Sequence, residues 1–144
     1  MPHTAKAIMF TCMDERLEAT IERQINQLDG GAFHAALAGG GAALVFESDK
    51  PTALKQIIAA YKINHITKVY LQSHVECGAY GLAGVRFESR TQEIVRLYQD
   101  LDIAADNVSA ALHAAGAQDN EVSIHVEVVR LDGQVVERPQ LINA

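Results

Sequence analysis

The chain has 144 residues, 49% of them hydrophobic, which suffices for one packed core but not two, so a single domain over 1–144 with one site is expected. Twelve basic against 18 acidic side chains leave a net charge of -6, which offers neither the basic stripe that nucleic acid requires nor a polybasic patch for a membrane surface. No run reaches the roughly 20 apolar residues of a membrane span, and a probable strand follows Met1-Pro2 too closely for a secretory leader, so a cytoplasmic protein with reduced thiols is expected.

In chain order, residues 6–11 form an apolar run of strand length. A helix over about 15–28 follows, capped by Asp14, with Leu17, Ile21, Ile25 and Leu28 at helical spacing and Gly30 as its stop. A short strand is expected over 32–37, then a turn through Gly39-Gly40-Gly41 where the backbone takes positive φ or passes close to another group. Residues 42–46 read as a further extended run. Ser48 or Asp49 caps the next helix, which Pro51 starts well; Leu54, Ile57, Ile58 and Tyr61 face inward and Asn64 lies near its end. With strand 67–73 directly behind it, this segment is a strand-helix-strand crossover of the kind a parallel sheet needs.

Residues 78–88 read as a glycine-rich loop. A long helix over about 90–115 then carries Ile94, Leu97, Leu101, Ala104, Val108 and Leu112 as its buried stripe, with Gly116 as its end and a candidate break at the weak helix formers Asp106-Asn107. Val122, Ile124, Val126 and Val128 alternate with Ser123, His125 and Glu127, a strand with one covered face. A turn at 131–134 and a short return strand at Val135-Val136 complete the pattern. The expected fold is α/β in three layers, with a mainly parallel central sheet, flanking helices and a C-terminal edge strand.

The two cysteines both stand where an apolar run ends: Cys12 in Cys12-Met13-Asp14-Glu15-Arg16, and Cys77 in His74-Val75-Glu76-Cys77-Gly78. The carboxyl ends of adjacent parallel strands lie side by side, so two sulfurs and an imidazole can meet at one rim of the sheet. Zinc takes thiolate and imidazole in tetrahedral geometry, and three protein ligands leave a fourth position for water. The blander alternatives are two buried thiols at strand ends, a backbone-bonded His74, a helix-capping Asp14 and a surface Arg16. Neither Gly39-Gly40-Gly41 nor the glycines at 78, 81 and 84 have the ending or spacing of a nucleotide-binding loop.

The paired motifs resemble those of the beta class of carbonic anhydrases, which carry Cys-x-Asp-x-Arg after the first strand and His-x-x-Cys-Gly after the third. The resemblance runs over most of the chain. It implies Zn2+ held by Cys12, His74 and Cys77, with Asp14 and Arg16 as a catalytic pair controlling the fourth position. In one family arrangement the aspartate binds the arginine and accepts a hydrogen bond from water; in the other it ligates the metal. The implied reaction is reversible hydration of carbon dioxide to bicarbonate and a proton, and the implied assembly is a homodimer or larger homo-oligomer with clefts at the dimer interface. Hydrolysis of carbon disulfide or carbonyl sulfide, which relatives within the fold perform, is the enzymatic alternative. A catalytically silent metal-binding homologue with a regulatory or assembly role is the other.

A neutral linear substrate needs only a small apolar recess, for which Val75, Tyr80 and Phe33 are candidate walls. Gly78 is a candidate for directing a backbone N–H at a substrate oxygen, and His34 for proton transfer. Two departures from the family pattern stand out. Ala36-Leu37-Ala38-Gly39 replaces the usual Arg-Asn-Ala-Gly, and Val75-Glu76 lies between the proposed ligands where small polar residues are more frequent.

Overall fold

A computed structural model describes residues 3–140. Strands β1 (Ala7–Thr11), β2 (Phe33–Ala36), β3 (Lys68–His74), β4 (Ser123–Val129) and β5 (Val135–Val136) form one sheet in the order β2-β1-β3-β4-β5. Every pairing is parallel except β4 with β5, the C-terminal edge strand. The helices are α1 (Glu18–Asn26), α2 (Lys50–Asn64), the five-residue α3 (Gly78–Leu82) and α4 (Arg90–Ala114). The chain steps from β1 outward to β2, then reverses past β1 to β3 and β4. Right-handed crossovers consequently put α1 on one face of the sheet and α2 and α4 on the other.

Two apolar clusters record those faces. Ile8, Phe10, Val69 and Leu71 pack with Ile57 of α2 and with Leu97, Leu101 and Ala104 of α4. Met9 and Val129 pack with Leu17 and Ile21 on the α1 side. Being covered from both sides, β1 is buried at all five positions, which is why its sequence does not alternate. The three-layer expectation holds. Among the described residues, no helix is long and apolar enough to cross a membrane.

The structure corrects several local readings. Residues 42–46 are not extended; Ala42, Ala43 and Leu44 complete a buried 3-10 helix, Gly40–Leu44. Their apolar composition suits either conformation, and the preceding glycines decide. Gly40 has φ +56°, and a Cβ there would stand 2.2 Å from the Gln72 carbonyl oxygen and 2.9 Å from the Cys12 nitrogen. One on Gly41 would stand 2.3 Å from Leu101 Cδ2. The segment is a wedge of bare backbone between the sheet and α4.

Residues 78–88 are not all loop, because the backbone after Cys77 closes the turns of α3 before opening at Gly84. The α4 helix runs unbroken through Asp106-Asn107. Asn107 directs its side-chain amide to the Leu44 carbonyl at 2.9 Å and so does not compete with its own backbone. Asp14 caps a short 3-10 turn, Glu15–Leu17, that precedes α1, and Asp49 makes no side-chain cap to α2.

The wedge yields a prediction that separates crowding from backbone conformation. Gly31 also has positive φ, +74°, but a Cβ there would meet nothing within 4 Å. Gly31→Ala is expected to lose about 1 kcal/mol of stability and Gly40→Ala on the order of 3 kcal/mol or more, measured by chemical denaturation. Equal losses would show that φ alone matters at Gly40.

Candidate metal centre

Strands β1 and β3 are neighbours, with Phe10 opposite Leu71, so both leave the sheet at the rim where strand order reverses. That switch point is where open α/β sheets place their ligands. Cys12 is the first residue beyond β1, His74 is the last of β3, and a turn through Val75-Glu76 carries Cys77 to the start of α3. The ligand atoms of Cys12, His74 and Cys77 lie within 4.8 Å of one another, and all three residues are buried.

Three observations show that these atoms suit a metal ion. The two sulfurs are 3.8 Å apart, and both cysteines are free. Two thiolates on one tetrahedral ion, each about 2.3 Å from it, would be separated by about 3.8 Å. The Nδ1 of His74 is bonded to the Val75 carbonyl at 2.7 Å, which fixes the tautomer and leaves the Nε2 lone pair for a ligand. That Nε2 is buried and has no hydrogen-bond partner, an arrangement that costs energy unless a cation completes it.

The thiols respond to each other in opposite directions. The Cys77 thiol hydrogen-bonds to Cys12 and brings the Cys12 pKa down to about 4; burial opposes this, while His74 and the Gly39 N–H, 3.4 Å from the sulfur, reinforce it. Cys77 is pushed far up by the same shared proton and by burial. For His74, burial disfavours the charged ring, but the nearby Cys12 sulfur and the Val75 carbonyl outweigh it and raise the pKa. The two thiols therefore resist losing the proton they share.

Asp14 faces this group from the 3-10 turn after β1. Its carboxylate is gripped by Arg16, with Nη2 to Oδ2 at 2.7 Å, Nε to Oδ1 at 3.0 Å and the backbone N–H to Oδ1 at 2.9 Å. Arg16 is the main reason its pKa is held to about 2. The free side of Oδ2 lies 3.7 Å from His74 Nε2. The structure thus has the Asp14 carboxylate on Arg16.

A cleft of about 460 Å³ opens beside Cys12, Met13 and Asp14, lined by Ile21, Ile25, His34 and Ala36, with Glu18 and Glu22 at its acidic margin. His34 Nε2 is 2.9 Å from the buried Thr11 hydroxyl, and burial lowers the pKa of the ring. Ala36 lines the cleft where the family pattern has a polar residue, whereas Leu37 packs against the larger core.

The expected wall residues Phe33, Val75 and Tyr80 do not line this cleft. Phe33 pairs with Ile8 and lines a separate cavity with Gln56 and Ile63, because the register of β2 puts it three residues before Ala36 and toward α2. Val75 is buried and borders a cavity with Arg90, Ile94 and Arg130. Tyr80 is 2% exposed and donates its hydroxyl to Asp100 at 2.7 Å. Gly78 begins α3 in open space, since a Cβ there would meet nothing within 4 Å.

Thr11, Glu93 and the cleft-facing side of α1 escaped sequence reading. The α1 stripe was legible as apolar, but its outer members Ile25 and Ile21 serve the cleft as well as the core. Glu93 sits one residue from the apolar stripe of α4, with only Arg90, three residues earlier, to hint at an ion pair.

No model of a known protein family matches the sequence, and no curated protein matches it. Solved structures do resemble it. A carbonic anhydrase from Streptococcus mutans is 17% identical, covering 96% of this chain and 86% of that one, with a TM-score of 0.54. Beta-carbonic anhydrase isoform I from Trichomonas vaginalis is 18% identical over 94% of this chain and 82% of its own, with a TM-score of 0.52. The apo form of a carbon disulfide hydrolase is 16% identical over 99% and 82%, with a TM-score of 0.53. The chain has the fold of the beta-carbonic anhydrases over nearly its whole length, at low identity, and carries a Cys-His-Cys site within it.

The purified protein is expected to retain close to one divalent ion per chain by elemental analysis, and Cys12→Ser, His74→Ala and Cys77→Ser each to lose it. Stripping the ion should lower the melting temperature, as an ion present at a thousand times its Kd contributes about 4 kcal/mol. Retention should weaken with acid, because protons compete for the thiolates. Full retention in Cys12→Ser would mean the sulfurs are ordinary core groups.

Proposed function

We propose that the chain is a zinc enzyme that reversibly hydrates carbon dioxide to bicarbonate and a proton. The observation that carries this reading is the buried donor set, two thiols and an uncommitted imidazole nitrogen, standing beside a carboxylate gripped by an arginine. Cys12, His74 and Cys77 would hold the ion; soft sulfur and imidazole donors favour Zn2+ over Mg2+ or Ca2+, which take oxygen ligands. When bound, zinc supplies a Lewis acid that lowers the pKa of a coordinated water from about 15.7 to about 7.

The remaining work falls to the residues around it. Asp14, with its pKa held to about 2, stays ionised at neutral pH and serves as an acceptor and not as a base. It takes a hydrogen bond from the attacking water and turns a lone pair toward the substrate carbon. Arg16 keeps the carboxylate in that orientation through its two-point grip. Ile21, Ile25 and Ala36 give the cleft an apolar lining suited to an uncharged substrate. His34, neutral at pH 7 because burial lowers its pKa, accepts the released proton at the cleft and passes it to buffer. We place the smallest assembly at a homodimer, a reading that the exposed apolar side chains of Met13 and Leu82, 68% and 90% exposed, support.

The apolar cleft also supports a second reading, hydrolysis of carbon disulfide or carbonyl sulfide, and the likeness in fold to a carbon disulfide hydrolase is equal to that with the carbonic anhydrases. Stopped-flow hydration of carbon dioxide, with zinc content measured on the same sample, discriminates among the possibilities. A rate well above buffer is expected, falling about a hundredfold in Asp14→Asn without loss of metal. Zinc-loaded protein that hydrolyses carbon disulfide but not hydrates carbon dioxide would move the assignment to the second reading. Inactivity on both would leave a metal-binding homologue without turnover.

A further inference from the structure

We propose that Glu93 of α4 is the positioning residue that holds the loop between His74 and Cys77 in its ligating shape, an inference that rests on reading those two residues and Cys12 as metal ligands. Three non-glycine residues take positive φ among the described residues: His65, Glu76 and Asn120. His65 caps the end of α2, and asparagine tolerates the left-handed region. Neither reason applies to Glu76, whose φ is +59°. For such a side chain the conformation is unfavourable, so the surroundings must impose it.

The bend at Glu76 is what returns the chain from β3 so that the Cys77 sulfur comes within 3.8 Å of Cys12. Each backbone polar group of the two intervening residues is held. The Val75 N–H donates to Val129 of β4 at 3.1 Å, and the Val75 carbonyl accepts from His74 Nδ1 at 2.7 Å. The Glu76 carbonyl accepts from Arg16 Nη2 at 3.3 Å. The Glu76 N–H donates to Glu93 Oε2 at 2.7 Å, the shortest of the anchors that reach Glu76 and one that joins the loop to a 25-residue helix. A hydrogen bond to a carboxylate is about twice as strong as one between neutral groups.

Burial shows that the carboxylate is placed for this contact. Glu93 is 8% exposed, and its other oxygen accepts from Arg90 at 2.9 Å. Arg90 itself has a half-exposed side chain and could be paired from the surface. A surface pair would not require a carboxylate taken out of water, whereas an acceptor under Glu76 does. Glu93 therefore stands in this chain as the counterpart of its unusual Glu76: a residue poorly suited to the bend is fixed there by an acid from the neighbouring helix.

The test uses the full chain loaded with zinc or cobalt(II) and follows metal release to a chelator. Glu93→Ala is expected to release metal about 10–100 times faster and to change the visible spectrum of the cobalt form. Glu93→Gln, which keeps an oxygen acceptor, should stay within about threefold of the unaltered protein. Glu76→Gly lets the bend form without strain, so adding Glu93→Ala to Glu76→Gly should accelerate release by less than about threefold. Unchanged release in Glu93→Ala, or equal acceleration with and without Glu76→Gly, overturns the inference while leaving the metal site intact. An unaltered protein that retains no metal overturns it together with the reading beneath it. Retained metal with the expected pattern but no turnover sinks only the proposed reaction.

Discussion

Side-by-side parallel pairing of β1 and β3 governs what the rest of the molecule can do. Phe10 lies opposite Leu71; two residues beyond the first comes Cys12, and three beyond the second comes His74. Neither cysteine is near the other in sequence, and no local preference draws them together. The ladder does so, at the point where crossovers diverge to opposite faces and the rim is left free of covering helices. A one-residue slip of this register would turn the rim side chains to the wrong faces and scatter the donor set.

Within that frame the site is electrostatically unfinished. One thiol ionises readily because its neighbour gives it a proton to share, and the neighbour resists ionisation for the same reason. The imidazole has a committed nitrogen and a free one. These groups are buried, so a cation does more for this rim than any rearrangement of side chains. Asp14 adds negative charge, but Arg16 neutralises it and fixes its direction.

Much of this was legible in the sequence because strand ends and helix stripes follow from apolar spacing. The parallel core and the C-terminal hairpin are implied by where hydrophobic runs stop, which also lets Cys12, His74 and Cys77 meet at one rim; their joining in one ligand set is what the motif resemblance implies. What was not legible depends on contacts at a distance. Ala42-Ala43-Leu44 carries no periodicity able to distinguish strand from 3-10 helix, and the choice is made by the approach of Gln72, Cys12 and Leu101 to Gly40 and Gly41. Phe33 sits three residues from Ala36, yet β2 directs it to another cavity. Glu93 looks like a surface acid until Glu76, 17 positions earlier, is seen to need its oxygen.

The glycine wedge couples regions usually treated as separate. Gly40 rests on the backbone of Gln72 and Cys12, Gly41 rests on Leu101, and Asn107 of the same helix ties down Leu44 at the far end of the turn. Opening any part of this stack would break contacts with the others. Contacts this continuous make the rim and the α4 face of the sheet a natural cooperative unit, in which a ligand that steadies the rim would also slow amide exchange deep inside α4.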